Sequence, residues 1–571
     1  MVSKLVTSSS ILRLGLLISA SVAWGACSGP AKTGSSKEPV ELVFYGGEVR
    51  TMDPTHPRAT AIAIGGGKVL AIGGDELKSY GGRGTERIDL HGATVTPGLI
   101  DAHCHLYGLG VDLDSVSLRG MASAEDTAKA VAAAAKTRPA SEWLIGRGWD
   151  QNRWPEQQFP TKAVLDAQLG DRPVLLRRID GHAIWVNSRA LAAAGITAAT
   201  ADPPGGKILR DAAGEPTGVL IDNAVDLVDA KVPAATAEVR ERRIRTAAKL
   251  AIEAGLTGVH EMGIEDATAD VYRKLAGAHE LPLRVYAFLQ GDPVHTARLG
   301  TPPGPPTGRF TMRGVKFFAD GALGSRGARL YQRYDDDGEN QGLWVTQPDV
   351  LADAVDVAVA NGWQVAVHAI GDAAVGAVID AYLLQERKHP ADRRLRIEHT
   401  QVIAPQDIAR MVEAHAIASM QPTHATSDMP WAEQRIGKER IVGAYAWRTM
   451  LDKKIPLAAG SDFPVEDVSP LLGIYAAVTR QDAKGAPAGG WHPEQKLTLE
   501  EALAAFTSGA AYAEGAESER GMLAVGRPAD LTVFDGKLEP DASLLTRKVA
   551  YTIVDGEIVM RRDAGKDAGG H

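Results

Sequence analysis

Thr94-Val95-Thr96-Pro97-Gly98-Leu99-Ile100-Asp101-Ala102-His103-Cys104-His105 is the stretch that decides the fold. From Ala93 to Ile100 it reads as a buried strand. Side chains alternate faces along an extended strand, so His103 and His105 point the same way, about 6.5–7 Å apart along the backbone. Two imidazoles at that separation can grip one divalent cation, while Cys104 points to the opposite side. A His-x-His pair also arises by chance, so its meaning depends on what further strands bring to the same place.

Beyond it, the middle of the chain alternates helix and strand, the pattern of a parallel sheet. Glu238 to Ala254 reads as a helix that stops at Gly255. Strands follow at Leu256–His260, Leu283–Phe288, Gly314–Phe318, Gln364–His368, Arg396–His399, Ala416–Met420 and Pro456–Asp462. With the strand entering His103 they make eight, which fits an α/β fold of the closed (β/α)8 TIM-barrel type. The C-terminal strand ends of such a barrel form its active-site mouth. Lys316, His368, His399 and Asp462 fall at or near those ends. The interval from His105 to Leu256 far exceeds what one crossover helix needs. Trp143–Asp150, Val174–Arg178 and Gly218–Ile221 read as strands of a subdomain inserted after the first barrel strand, at about 140–230, close to the mouth.

The two flanks share a different texture of short strands and glycines. Glu41–Tyr45, Ala61–Ile64 and Lys68–Ile72 lie before the first barrel strand, and Asp530–Phe534, Tyr551–Val554 and Glu557–Met560 lie at the far end. Asp555-Gly556 between two alternating runs is a strong hairpin signal. Gly65-Gly66-Gly67 lacks the helix that a phosphate loop opens and reads as a hairpin turn. Residues 40–96 and 520–562 are therefore expected to form one small β-sandwich domain built from both chain ends, around a barrel at 97–519.

Residues 1–27 read as an export signal. Lys4 and Arg13 precede the apolar run Leu14–Trp24, which is too short to span a bilayer. The run closes on Gly25-Ala26-Cys27, which resembles the end of a bacterial lipoprotein signal with Cys27 as the lipidated residue. Residues 28–39 read as a flexible tether. The expectation is an exported protein, either a cell-envelope lipoprotein or periplasmic, that meets the membrane only through this anchor. The chain has 2 cysteines among 571 residues, so with Cys27 lipidated no disulfide framework is available. With 62 Lys+Arg against 71 Asp+Glu, the formal charge of −9 and the lack of a basic stripe exclude a nucleic-acid partner. A homo-oligomer stays open.

The motifs resemble the amidohydrolase superfamily. Pro97-Gly98-Leu99-Ile100-Asp101-Ala102-His103-Cys104-His105, Gly460-Ser461-Asp462 and the split β domain carry the general likeness. Gly148-Trp149-Asp150-Gln151, the run Arg178 to Ser188, the run Phe318 to Arg326, Val367-His368-Ala369-Ile370-Gly371-Asp372 and Ile397-Glu398-His399 are similar to the YtcJ-like amidohydrolases, the group that includes N-substituted formamide deformylases. The resemblance implies a metal-dependent hydrolase with a small-molecule, amide-type substrate. It implies that His103, His105 and Asp462 hold a first ion and that His368 and His399 hold a second. It further implies that Lys316 bridges both as an N-carboxylated lysine. An amine desolvated beside cations loses its proton and can take up carbon dioxide as an anionic carbamate. Four imidazoles, a carbamate and a carboxylate suit two zinc ions best. Such a centre makes hydroxide available near neutral pH, and Asp462 would shuttle the proton.

His182, His260, Glu261, His424 and the indoles Trp149, Trp185 and Trp431 are further candidates for the substrate pocket. Asp335-Asp336-Asp337-Gly338 lacks the later glutamate of a calcium loop and reads as a turn, and no Gly-x-Ser-x-Gly elbow is found. The rival readings are an ester, carbamate or cyclic-amide hydrolase with the same centre, a one-metal deaminase, and a surface-tethered binding or regulatory protein without turnover.

Overall fold

Residues 32–33, 38–139 and 142–562 are described by the computed structural model. The expected export signal, the lipidation at Cys27 and most of the tether lie outside the described residues.

The eight barrel strands are β1 (Leu99–Cys104), β2 (Leu256–Ile264), β3 (Arg284–Gln290), β4 (Phe310–Phe318), β5 (Gln364–Ala369), β6 (Arg396–His399), β7 (Ile417–Met420) and β8 (Leu457–Ala459). They neighbour one another in chain order, and every ladder between them is parallel. The segments expected from sequence and the observed strands coincide. Strands covered on both faces carry runs such as Val365-Ala366-Val367 rather than an apolar–polar alternation. Helices including Ala237–Glu253, Pro348–Ala360 and Asp372–Lys388 pack around the sheet in one continuous apolar core. Cys104 lies in that outer core, on the face opposite His103.

The barrel closes between β8 and β1 through loop backbone rather than through a ladder. The Asp462 amide donates to the His103 carbonyl at 2.7 Å, and the His105 amide to that of Phe463 at 2.8 Å. Buried Asp101 fastens the seam: its carboxylate accepts from the Ser461 amide at 3.0 Å, the Ser461 hydroxyl at 2.6 Å and the His103 amide at 3.0 Å. Burial pushes the Asp101 carboxyl up to about 7, against these hydrogen bonds. Gly460 leaves room for this approach, because a Cβ there would stand 2.5 Å from Asp101 Oδ1 and from the His103 nitrogen.

Both chain ends build the small β domain. One sheet holds Leu42–Tyr45, Ala61–Gly65, Lys68–Gly73 and Glu86–Asp89. The other joins Glu48–Arg50 and Thr94–Pro97 from the N-terminal side to Leu531–Phe534, Val549–Val554 and Glu557–Arg561 from the C-terminal side. Asp555 (φ 52°) and Gly556 (φ 76°) make the two-residue hairpin turn that their sequence announces.

The insert forms a six-stranded sheet in the order Val116–Ser117, Leu144–Trp149, Val174–Arg178, Ala183–Val186, Pro216–Asp222, Gly206–Arg210. It begins near residue 116 rather than 140, because Val116–Ser117 pairs in parallel with Gly146–Arg147. Trp149 and Trp185 do not line a pocket. Both are fully buried in the insert's own core beside Trp154, with indole N–H groups satisfied by the Leu176 and Thr161 carbonyls. The insert is pinned to barrel loops by Arg435 donating to Asn152 at 2.9 Å and by Asn223 donating to the Val345 carbonyl at 3.1 Å. Among the described residues no helix is long and apolar enough to cross a membrane.

Candidate metal centre

His103, His105, Lys316, His368, His399 and Asp462 converge at the mouth end of the barrel. His103 leaves the end of β1, and His105 caps the helix Leu106–Asp114 that follows. Lys316 lies near the end of β4, His368 near the end of β5 and His399 at the end of β6. Asp462 follows β8 by a few residues. His399 (φ 72°) and Asp462 (φ 60°) both adopt left-handed backbone, a conformation that costs a non-glycine residue about 1–3 kcal/mol and gathers at functional sites.

Hydrogen bonds fix which nitrogen each imidazole turns to the centre. His103 donates Nδ1–H to Glu398 at 2.5 Å, His105 to the Met262 carbonyl at 2.9 Å, and His399 to Gln421 Oε1 at 2.7 Å. The Gln421 amide is oriented in turn by donating to the Ser419 carbonyl at 3.2 Å. In the neutral rings Nε2 is then a bare lone pair. His103 Nε2 stands 3.6 Å and His105 Nε2 3.3 Å from Asp462 Oδ1, an acceptor that finds no hydrogen-bond partner although buried. Lys316 Nζ lies 3.5 Å from His103 Nε2, over the Phe318 ring.

Burial, then the Lys316 charge, bring His103 down to about 4, and burial pushes His368 and His399 well below the ordinary histidine range. The Lys316 amine is pushed down to about 8 by burial, against the pull of Glu398 and Asp462. Burial works to raise Asp462, but the facing imidazoles outweigh it and hold the carboxyl well below its usual range. Imidazole nitrogens and the Asp462 carboxylate thus face one another, with the Lys316 amine as the nearest donor. With Asp462 Oδ1 left without a hydrogen-bond partner among these nitrogens, the donor set fits a divalent metal. The donor atoms of His103, His105 and Asp462 form one triangle within 4.8 Å of one another, and those of His399, His424 and Asp462 form a second. His368 stands outside both. Its Nε2 is directed at the Gly321 carbonyl at 3.3 Å, although its ring lies 4.6 Å from that of His399.

The centre opens into a cavity of about 600 Å³ walled by barrel loops and by the insert. His182, His424 and Trp431 line it, as the sequence suggested. His182 comes from the insert, donates Nδ1–H to Asp222 at 2.7 Å, and places its ring 4.8 Å from that of His368. Burial works to lower His182, but the hydrogen bond and charge of Asp222 raise it. His260 does not belong to the pocket. It lies fully buried inside the barrel below the centre, 2.8 Å from the Arg396 guanidinium. Glu261 is likewise structural, accepting from the amides of Leu106 and Tyr107, and burial pushes it up to about 7.

Sequence reading missed Glu398, Arg396, Asp101 and Gln421 as functional residues. Arg396 donates to Glu398 at 2.7 Å, so the His103 partner is itself held in place. The available signal was Arg396-Ile397-Glu398, two charges spaced at the strand period, which places both on the same face of the strand.

The amidohydrolase family signature Amidohydro_3 matches residues 86–560. The protein YtcJ of Bacillus subtilis is 36% identical over 536 residues, covering 92% of this chain and all of that protein. An N-substituted formamide deformylase of Arthrobacter pascens is 28% identical over 550 residues, covering 91% of this chain and 98% of that protein. The crystal structure of an uncharacterized metal-dependent hydrolase from Pyrococcus horikoshii aligns with TM-score 0.69 and 26% identity, over 87% of this chain and 98% of that one. With ligand-type side chains delivered by β1, β4, β5, β6 and the segment after β8 of a parallel barrel, and with a match from the β domain at one end of the chain to that at the other, this chain belongs to the amidohydrolase family of metal-dependent hydrolases.

Proposed function

We propose that the chain hydrolyses an amide-type C–N bond other than a peptide bond, of the N-substituted formamide or N-acyl class. The reading rests on the inward-facing Nε2 lone pairs gathered around unpartnered Asp462 Oδ1 at the floor of the 600 Å³ cavity. The formamide deformylase named above supports the bond type, since it aligns with this chain over 98% of its own length. The proposed cofactor is a pair of zinc ions with Lys316 as an N-carboxylated bridge, consistent with an amine whose proton is weakened by burial. When bound, such ions polarise a carbonyl and make water acidic near neutral pH.

The chain's own residues do the rest. His103, His105 and His399 keep their orientation through partners outside the centre, so no reorganisation accompanies the reaction. Asp462 stays anionic at neutral pH and is placed to take a proton from the attacking water and return it to the departing nitrogen. His182, oriented by Asp222, faces the substrate cavity from the insert. The test is metal analysis of the purified protein together with a screen of N-substituted formamides, N-acyl amines, esters and carbamates. Turnover of formamides or N-acyl amines that chelators abolish and zinc restores is expected. Turnover confined to esters would overturn the bond assignment.

A further inference from the structure

Below the centre, the barrel interior holds a column of buried polar side chains that the proposed chemistry does not use. Its lower end is Glu514, which follows the helix Ser508–Ala513 and stands 3.4 Å from Arg520 Nε. Glu514 lines a small void with Thr257, Gly258 and Arg284, at the N-terminal ends of β2 and β3. His260 comes next, from the middle of β2, with its ring centroid 5.4 Å from that of Tyr286. Its Nδ1 accepts from Arg396 Nη1 at 2.8 Å. Arg396 reaches Glu398 twice, through Nε at 2.7 Å and Nη2 at 3.1 Å, and Glu398 accepts from His103 Nδ1.

The guanidinium is held on every edge. Nε goes to Glu398, and Nη2 also donates to the Ala102 carbonyl and to Ser419 Oγ. The Phe288 ring lies against one face at 5.0 Å. Among the described residues, Nη1 finds only His260. A guanidinium can only donate, so Nδ1 of His260 is the bare nitrogen and Nε2 carries the hydrogen. Burial, then the Arg396 charge, hold this imidazole well below the ordinary histidine range, which keeps Nδ1 bare. Nε2 stands 3.8 Å from Glu514 Oε2 and has no hydrogen-bond partner. A carboxylate in place of His260 would compete with Glu398 for the guanidinium charge. A neutral acceptor satisfies Nη1 and leaves that charge to Glu398. Because a guanidinium keeps its protons, the column carries no proton past Arg396.

We infer that His260 is a positioning residue for the metal centre: as the acceptor of Arg396 Nη1, it holds the guanidinium against Glu398 and so fixes the carboxylate that keeps the His103 proton on Nδ1. The inference rests on the metal-centre reading above and extends it two side chains deeper into the barrel. Without this acceptor, a buried N–H is left unmade at a cost of about 1–3 kcal/mol. The guanidinium relieves that cost by turning to another acceptor, and Glu398 moves with it.

The test uses the full chain as wild type, His260→Leu, His260→Asn and His260→Gln. Leucine and asparagine are nearly equal in size, but only asparagine puts an oxygen near the place of Nδ1. Glutamine puts its polar end near the place of Nε2. Zinc affinity is read by chelator competition, and stability by melting the metal-free protein. His260→Leu and His260→Gln should bind zinc about 3–10-fold more weakly, short of the loss from a direct ligand partner because His260 acts through two others. His260→Asn should stay within about twofold of wild type. The comparison of asparagine with glutamine decides the matter even if His260→Leu fails to fold. Wild-type zinc affinity in every folded variant, or an equal loss in His260→Asn and His260→Gln that follows the fall in their metal-free melts, makes His260 a packing residue. Either result overturns this inference and leaves the metal centre standing. A wild type that holds no zinc or other divalent metal overturns both.

Discussion

Glu398→Gln tests whether the partners behind the imidazoles set the metal affinity. Glu398 and His103 are both fully buried, 2.5 Å apart. The glutamate carboxylate can only accept, which forces the proton onto His103 Nδ1 and leaves Nε2 free to ligate. A glutamine presents either its oxygen or its NH2 group. Arg396, which donates to Glu398 at 2.7 Å, competes for that oxygen. If the NH2 turns to His103, Nδ1 becomes the acceptor and the proton moves to Nε2, where it blocks the ligand position. Loss of such an orienting partner lowers metal affinity by about 10–100-fold, or about 1.4–2.7 kcal/mol at 1.36 kcal/mol per tenfold. Leaving a buried guanidinium without its anion would add about 3–5 kcal/mol of destabilisation. Arg396 keeps hydrogen bonds to the Ala102 carbonyl and Ser419 Oγ, so the observed loss should fall below that range. Zinc affinity is read by chelator competition and stability by thermal melting. A variant with zinc affinity within about twofold of wild type, well short of the tenfold expected from such partners, would refute the reasoning.

Lys316→Ala should lose metal and most activity, Lys316→Glu should retain part of both, and small carboxylic acids should partly rescue the alanine variant; metal content and turnover decide, and normal values in Lys316→Ala would remove the bridge. His182→Ala should change kcat or KM on the best substrate of the screen while zinc per chain stays at the wild-type value; unaltered kinetics would reduce His182 to a structural role. Gly460→Ala places a Cβ 2.5 Å from Asp101 Oδ1 and the His103 nitrogen. It should lower stability by about 1–3 kcal/mol, as overpacking does, and weaken zinc retention with it. A melt and zinc content equal to wild type would show that the seam yields.

The barrel was legible because most of its strands are short apolar runs between helical stretches, with His103, His368 and His399 at or near the mouth ends of three of them. The β domain was legible from turn chemistry, Asp555-Gly556 above all. Burial inside the insert was not. Trp149 and Trp185 stand beside polar motifs in sequence, and only the packing of the insert's sheet against its own helices decides that they face inward. His260 shows the same limit along the barrel axis. A strand-end histidine reads alike whether it lies in the mouth layer or one layer below. Val116–Ser117 is too short to show any period, so the start of the insert was invisible. Asp462 turns its carboxylate to the centre from a left-handed backbone that its sequence does not announce.

The seam between β1 and β8 gives the centre a second consequence, for assembly. His103 and His105 stand on one lip of the seam and Asp462 on the other, with nearly the whole barrel sequence between them. An ion held by all three works as a clasp between the earliest and the latest strand. Closing so long a loop is entropically slow to achieve, and it must precede the contacts that reward it. The full set of three donors therefore cannot exist in any chain shortened before Asp462, and it is complete only once the barrel has closed. Stripping the metal should then loosen the molecule at one line. Hydrogen exchange would rise first at the amides of His105, Ser461 and Asp462, while the ladders on the far side of the barrel keep their protection.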